Sequence, residues 1–305
     1  MVLMSALNSE AAWPFWREIF YAEVTPPMAV RDFLKRISAW TRKPGATDEV
    51  PAGTPPHVTP RPSWSDARGT PTYDADFLTV WHKNPDFLQD QKFMAAYKAG
   101  MNSGHKIARP AGSSDDIHIE WRIHICCWAA WHAKQLPGDF VECGTNTGIM
   151  SLAVANYIDF NSTGKTFFLF DTFQGIPEDQ ITPYERLLGR VQENEQQYED
   201  CYERAKMNFS PFPMAMLVRG KVPDTLVSVP IGDVCYLCLD MNIVVPERAA
   251  IEYFWDKLVP GAPIILDDYG WLNFGKQKEA MDAFALQKGV KIANLPTGQG
   301  LLFKP

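Results

Sequence analysis

An alternation that begins near residue 117 and runs to the last residues constrains this chain most. Short apolar runs, too short for helices, are separated by longer segments with helical spacing. Ile117 to Leu136 reads as a helix, aromatic on one side and closed by Pro137-Gly138. Strands are expected at Phe140–Cys143, Thr166–Phe170, Met214–Arg219, Val234–Leu239 and Pro263–Leu266. Helices fall between or after them, at Gly148–Phe160, Glu195–Phe209, Ala249–Leu258 and Lys276–Gln287. Val290–Asn294 and Leu301–Phe303, split by Pro296-Thr297-Gly298, read as a closing hairpin. The pattern predicts an α/β fold: a doubly wound, mostly parallel seven-stranded sheet with helices on both faces and an antiparallel C-terminal strand.

Ahead of this region, residues 1–110 read as an N-terminal helical extension, leaving 111–305 as the main domain. Trp13, Trp16, Phe20 and Tyr21 form one apolar stripe, and Val30, Phe33, Leu34, Ile37 and Trp40 a second. Seven prolines lie from Pro44 to Pro71, so the stretch 44–73 holds neither a helix nor a central strand and is an arm. Residues 76–100 return to helix-like patterning, with Phe77, Val80, Trp81 and Phe87 as apolar anchors. An aromatic, proline-rich extension of this kind points to a homo-oligomer.

Composition removes several functions. The 29 basic against 36 acidic side chains give a net charge of −7, which argues against a general nucleic-acid or anionic-membrane binder. Six cysteines in 305 residues are too few for a disulfide scaffold. Cys235 and Cys238 have knuckle-like spacing but sit in an apolar run, where positions three apart on a strand face opposite sides, so they read as core. Charged residues at Glu10, Arg17 and Glu18 interrupt any leader-like run, and no stretch reaches the roughly 18 apolar residues of a membrane span. The expectation is a cytoplasmic, reduced protein.

In a doubly wound sheet, ligands bind beyond the carboxyl ends of the strands, where strand order reverses. The first strand runs into Val141-Glu142-Cys143-Gly144-Thr145-Asn146-Thr147-Gly148. This G-x-x-x-G loop lacks the G-x-G-x-x-G dinucleotide fingerprint, and Glu142 would repel a pyrophosphate while balancing an ammonium group. NAD is disfavoured. The second strand ends in Asp171, placed to hold ribose hydroxyls. A ribose joined to an amino-acid cation, with no phosphate, describes S-adenosylmethionine. The plainer reading makes Glu142 and Asp171 loop caps. Strand four ends in Asp240 and strand five in Asp267-Asp268. Three acids at neighbouring strand ends repel one another unless a hard cation, Mg²⁺ first, lies between them. Here the plainer reading is helix capping.

Four segments carry a resemblance: Val141–Gly144, Leu169-Phe170-Asp171-Thr172-Phe173-Gln174-Gly175-Ile176-Pro177, Arg219-Gly220-Lys221-Val222-Pro223-Asp224-Thr225-Leu226, and Ile265-Leu266-Asp267-Asp268-Tyr269-Gly270. In order and spacing, over about residues 117–305, the chain resembles the macrocin O-methyltransferase (TylF-type) family. The resemblance implies a class I, S-adenosylmethionine-dependent methyltransferase fold, usually with a divalent metal and often a sugar hydroxyl as acceptor. Glu142, Gly144 and Gly148 would line the methionine end of the cofactor, Asp171 the ribose, and Arg219-Gly220 the adenine. Thr145, Thr172, Phe173 and Asp240 are grouped with them as cofactor-binding, and Asp240, Asp267 and Asp268 would hold the metal.

One departure stands out. The family usually reads Asp-x-Asp after the fourth strand, the second acid serving as general base; here the residues are Asp240-Met241-Asn242. Asn242 cannot accept a proton at neutral pH. Replacement bases are few: His118, His124 and His132 on the preceding helix, with His124 taken as the candidate, and Tyr269 beside the acids. Three readings follow: an O-methyltransferase in which the metal acidifies the acceptor hydroxyl, an enzyme using the cofactor for a non-methylating reaction, and a non-catalytic cofactor-binding protein.

Overall fold

The computed structural model describes residues 69–305 except 108 and 111. The helices expected within 1–42 and the arm up to residue 68 lie outside the described residues.

Five parallel strands form the centre of a seven-stranded sheet: β3 (Asp139–Cys143), β4 (Phe167–Asp171), β5 (Ala215–Arg219), β6 (Val234–Leu239) and β7 (Pro263–Leu266). The antiparallel strand β9 (Gly300–Phe303) pairs with β7, and β8 (Ala293–Asn294) with β9. The order is β5-β4-β3-β6-β7-β9-β8. Every residue of β6 and β7 is buried. Continuous apolar runs such as Val-Cys-Tyr-Leu-Cys-Leu are what a strand covered on both faces requires. Cys235 and Cys238 are both buried, reduced core residues of that run. At the edges, β5 is half-exposed and β8 exposed.

The chain winds outward through β4 and β5, then returns to the other side of β3 with β6, so β3 and β6 flank the reversal. Backbone hydrogen bonds lock the carboxyl ends together. The amide of Gly144 donates to the Phe170 carbonyl (2.8 Å), Asp240 to Cys143 (2.9 Å) and Asp267 to Leu239 (3.0 Å). Loops that follow different strands therefore start side by side.

Around the sheet lie α1 (Gln91–Met101), α2 (Glu120–Ala133), α3 (Ile149–Ile158), α4 (Pro183–Leu187), α5 (Arg190–Gln197), α6 (Tyr202–Phe209), α7 (Val244–Trp255) and α8 (Gly275–Lys288). α2 packs on β6 and β7, α3 on α1 and α2, and α7 on β6 and α8. No helix among the described residues is long and apolar enough to cross a membrane.

Two expectations fail locally. Residues 76–100 are not one helical stretch. Tyr73–Ala75 (β1) and Leu78–Val80 (β2) form a separate hairpin, and the helix begins only at Gln91, capped by the Asp90 carboxylate. Asp76 and Phe77 both adopt left-handed φ (51° and 57°), giving a two-residue turn that breaks any helix. Thr79 ties to Asp74 across it (2.7 Å), and the Tyr73 hydroxyl anchors it to Glu120 (2.8 Å). The helix expected over 195–209 is also divided. Tyr198 turns extended and the Cys201 amide donates to the Phe173 carbonyl (2.9 Å), so a long-range bond replaces helix continuation.

Leu237 is fully buried within β6, so truncating its side chain removes core contacts. Leu237→Ala is expected to lower the unfolding free energy by about 2–5 kcal/mol in urea denaturation. Val227→Ala, at a side chain 77% exposed, is expected to change it by under about 0.5 kcal/mol.

Candidate active site

At the reversal, the β3 end comes first. Glu142, the penultimate residue of β3, is buried, and its Oε2 has no hydrogen-bond partner. Burial pushes its carboxyl well above the usual range. Two residues on, Gly144 has φ +95°, and a Cβ there would lie 1.8 Å from the Asp240 carbonyl oxygen. Only glycine fits where the β3 and β6 loops pass each other. Thr145, also buried, has an unpartnered hydroxyl.

At the end of β4, the half-buried Asp171 receives the amides of Asn146 (2.7 Å, to Oδ2) and Phe173 (2.5 Å, to Oδ1). It therefore ties the β3 and β4 loops together; the Thr172 hydroxyl also donates to Oδ1 (3.3 Å), while Oδ2, with one donor, keeps an acceptor position. Burial raises its pKa against these hydrogen bonds.

Across the reversal stand the three other acids. Asp240, Asp267 and Asp268 each offer an oxygen within 4.8 Å of the others. Asp267 and Asp268 are buried, and Asp268 Oδ2 has no partner. Burial, reinforced by Asp240, drives the Asp268 pKa well up, and burial against the pull of Arg122 leaves Asp240 at about 6. Arg122, reaching in from α2, forms an ion pair with Asp267 Oδ2, and Gln299 donates to Asp267 Oδ1 (2.9 Å). Asn242, itself left-handed at φ 63°, donates from Nδ2 to Asp240 Oδ1 (3.3 Å).

Glu142, Gly144, Thr145, Arg122, Asp240 and Asp268 border a cavity of about 650 Å³. A smaller space of about 80 Å³ continues past Asp171, Thr172, Gln180 and Gly220. His105, Asn146, Tyr198 and Asn242 are among the residues shared by the two.

Other expected site residues stand elsewhere. The Phe173 ring is fully buried with Cys201 and Ala205, so only its amide acts on the site, through Asp171. Arg219 pairs with Asp200 (3.1 Å) over the Tyr202 ring, outside both cavities, while its neighbour Gly220 lines the smaller one. Gly148 starts α3 beside Phe209 and borders neither. His124 stacks on Phe87, centroids 4.1 Å apart, and borders neither of these two cavities. His118 is exposed and paired with Glu120 (3.1 Å), His132 packs on Trp128, and Tyr269 donates to Asp282. None of the four reaches the acids, because helix packing and local partners turn them away.

Three residues escaped the sequence. Arg122 is one cation in an aromatic helix, and nothing in its spacing points at Asp267. Tyr198 is placed by the break between α5 and α6. His105 sits in a loop without a motif, yet it borders both spaces. The Ile107 amide donates to its Nδ1 (2.9 Å), so the neutral ring carries its proton on Nε2 and offers a donor. Burial, with Arg109 nearby, lowers its pKa to about 4.

The macrocin-O-methyltransferase (TylF) family matches residues 123–295 of the chain. The chain belongs to this family. A curated relative, the 8-demethyl-8-(2,3-dimethoxy-alpha-L-rhamnosyl)-tetracenomycin-C 4'-O-methyltransferase of Streptomyces olivaceus, is 26% identical over 144 residues, 45% of this chain. The match covers 55% of that relative, so the chain spans about half the length of the curated protein it matches. Among solved structures, the O-methyltransferase NovP superposes with a TM-score of 0.58 at 16% identity, covering 72% of this chain and 97% of that one, a likeness of fold. The seven-stranded sheet of this TylF-family chain, parallel but for its last two strands, agrees with that likeness.

Gly144→Ala is expected to cost more than about 2 kcal/mol of stability, read by thermal unfolding, because the added carbon meets backbone that cannot swing aside. His105 generates a pH prediction. Its folded pKa lies below the unfolded value of 6.5, so the unfolded chain takes up the proton first on acidification. The resulting loss of stability begins near pH 6.5, grows to about 3 kcal/mol and levels off near pH 4. His105→Asn keeps an acceptor for the Ile107 amide and does not titrate. Urea denaturation at pH 7 and pH 4.5 is expected to show the variant losing less stability than the wild type.

Proposed function

We propose that this chain is an S-adenosylmethionine-dependent O-methyltransferase acting on a hydroxyl of a small, sugar-bearing natural product, with a divalent cation, Mg²⁺ first, at the three aspartates. The observation that carries the reading is the meeting of these carboxylates with Glu142 and Asp171 at one strand reversal, in a chain of the TylF family. The rhamnosyl acceptor in the name of the Streptomyces relative supports the sugar class.

The residues fit both groups. For the cofactor, Glu142 presents a buried, unpartnered carboxylate oxygen suited to an ammonium, Asp171 Oδ2 keeps an acceptor position for a ribose hydroxyl, and Gly144 leaves the floor open. For the cation, the donors are hard oxygens and Asp268 Oδ2 has no other partner. Asp267 is already held by Arg122 and Gln299, which orient it and leave lone pairs free.

The cofactor supplies an electrophilic methyl group on a sulfonium, and the cation lowers the pKa of a bound hydroxyl. The chain's own work is positioning and electrostatics. Glu142 and Asp171 orient the two ends of the cofactor. Arg122 offsets the repulsion of the acids. The amide of Asn242 steadies Asp240 and takes no proton. The neutral His105 offers a hydrogen-bond donor where the two spaces meet. With asparagine at 242, the chain presents no carboxylate base at that position.

Asn242 also favours a second reading, a cofactor-binding protein whose reaction is not methyl transfer. Mass spectrometry separates the two: gain of one methyl group on a rhamnosylated acceptor upholds the first, and its absence under cofactor saturation upholds the second. The proline-rich extension is proposed to mediate self-association in the cytoplasm, read by light scattering of the full chain.

Calorimetry is expected to show S-adenosylmethionine binding that the double change Glu142→Ala, Asp171→Ala weakens at least tenfold. Absence of binding by the wild type would sink the reading. Asp268→Asn is expected to weaken Mn²⁺ binding, followed by paramagnetic resonance, at least tenfold while leaving cofactor affinity within about twofold.

A further inference from the structure

The hairpin β1–β2 has an unusual tip. Its two turn residues, Asp76 and Phe77, are both left-handed, at φ 51° and 57°, a conformation that disfavours a bulky residue such as phenylalanine. The ring is 96% exposed, so burial does not offset that cost. Instead it stands edge-on to Trp271, with centroids 5.8 Å apart and planes at 85°. Trp271 is firmly seated. Its indole lies so close to Gly298 (φ +85°) that a Cβ there would fall 2.3 Å from Nε1, and its amide donates to the Asp268 carbonyl (3.3 Å). The aromatic pair therefore begins three residues beyond the acids of the site.

Beyond the pair opens another cavity, of about 400 Å³, bordered by Leu272, Leu295 and Pro296. It shares Asp76, Phe77 and Trp271 with the larger cavity, so the two meet at these side chains. Leu272 is 98% exposed and Phe77 nearly as much, an apolar rim at the mouth of the cleft. The size falls within the ~300–1,000 Å³ of small-molecule sites. A free sugar would need a ring of hydrogen-bonding side chains, and this lining offers only Asp76, Asn294 and the indole N–H.

We infer that this cavity is a subsite for the aglycone of a glycosylated acceptor: an apolar, ring-bearing group lies against Phe77 and Trp271 while the attached sugar extends through the larger cavity toward Asp240 and Asp268. The inference rests on the acceptor reading given under Proposed function. It makes the hairpin tip a specificity device that selects the aglycone, remote from the transferred methyl group.

The test is calorimetric titration of the full chain with a hydroxyanthraquinone, its O-rhamnoside, methyl α-rhamnoside and, separately, S-adenosylhomocysteine. Both anthraquinone compounds are expected to bind, and methyl α-rhamnoside at least tenfold more weakly. Phe77→Ala and Trp271→Ala are each expected to weaken the anthraquinone compounds about tenfold while leaving S-adenosylhomocysteine affinity unchanged. Phe77 is exposed, so its variant reports without a change in the core, whereas Trp271→Ala needs a matching thermal melt. Unchanged anthraquinone affinity in Phe77→Ala, no anthraquinone binding by the wild type, or equal affinity for methyl α-rhamnoside would overturn the subsite. Binding of hydroxyanthraquinone that depends on Phe77, with no S-adenosylhomocysteine binding, upholds the subsite and removes the methyltransferase reading instead.

Discussion

The structure depends on holding acids together where water is scarce. Glu142, Asp267 and Asp268 are buried and Asp171 and Asp240 half-buried, all at the carboxyl ends of four strands. Unpaired buried charges of one sign repel and carry a desolvation cost of several kcal/mol each. Arg122 supplies a balancing charge from α2, and backbone amides of the loops after β3 and β4 supply the hydrogen bonds of Asp171. Glu142 and Asp268 are left with unpartnered oxygens. Unpartnered carboxylate oxygens gathered at strand ends within a packed core mark the reversal as a candidate site for positively charged groups.

Close backbone approach is the second constraint. The loops after β3 and β6 cross at Gly144, with no space for a side chain. The same crossing borders the larger cavity and carries Asp240, the first of the three aspartates, so the cavity wall and the aspartate group share one piece of backbone. A shift in either would move both.

Much of the strand pattern was legible because buried strands must be apolar along their whole length. Val234–Leu239 and Pro263–Leu266 agree with the structure residue for residue. The acids at strand ends were legible because topology confines ligands to that edge. Misreadings arose where apolar residues serve two periodicities. Phe77, Val80 and Trp81 fit a helical spacing, yet a left-handed dipeptide turns the segment into a hairpin. His124 fits the helix face beside the site, yet Phe87 takes its ring.

By itself, then, the sequence determined the alternation, the parallel sheet, the glycine at the crossing and the identity of the acids, including the asparagine at 242. These are local properties: side-chain period, allowed φ and the chemistry of a residue type. Only the tertiary structure decided that Arg122 neutralises Asp267, that His105 and Tyr198 face the cavity, and that Phe77 meets Trp271. Each of those contacts joins elements far apart in the chain. Its existence depends on how helices and loops settle on the sheet, which no spacing along the chain records.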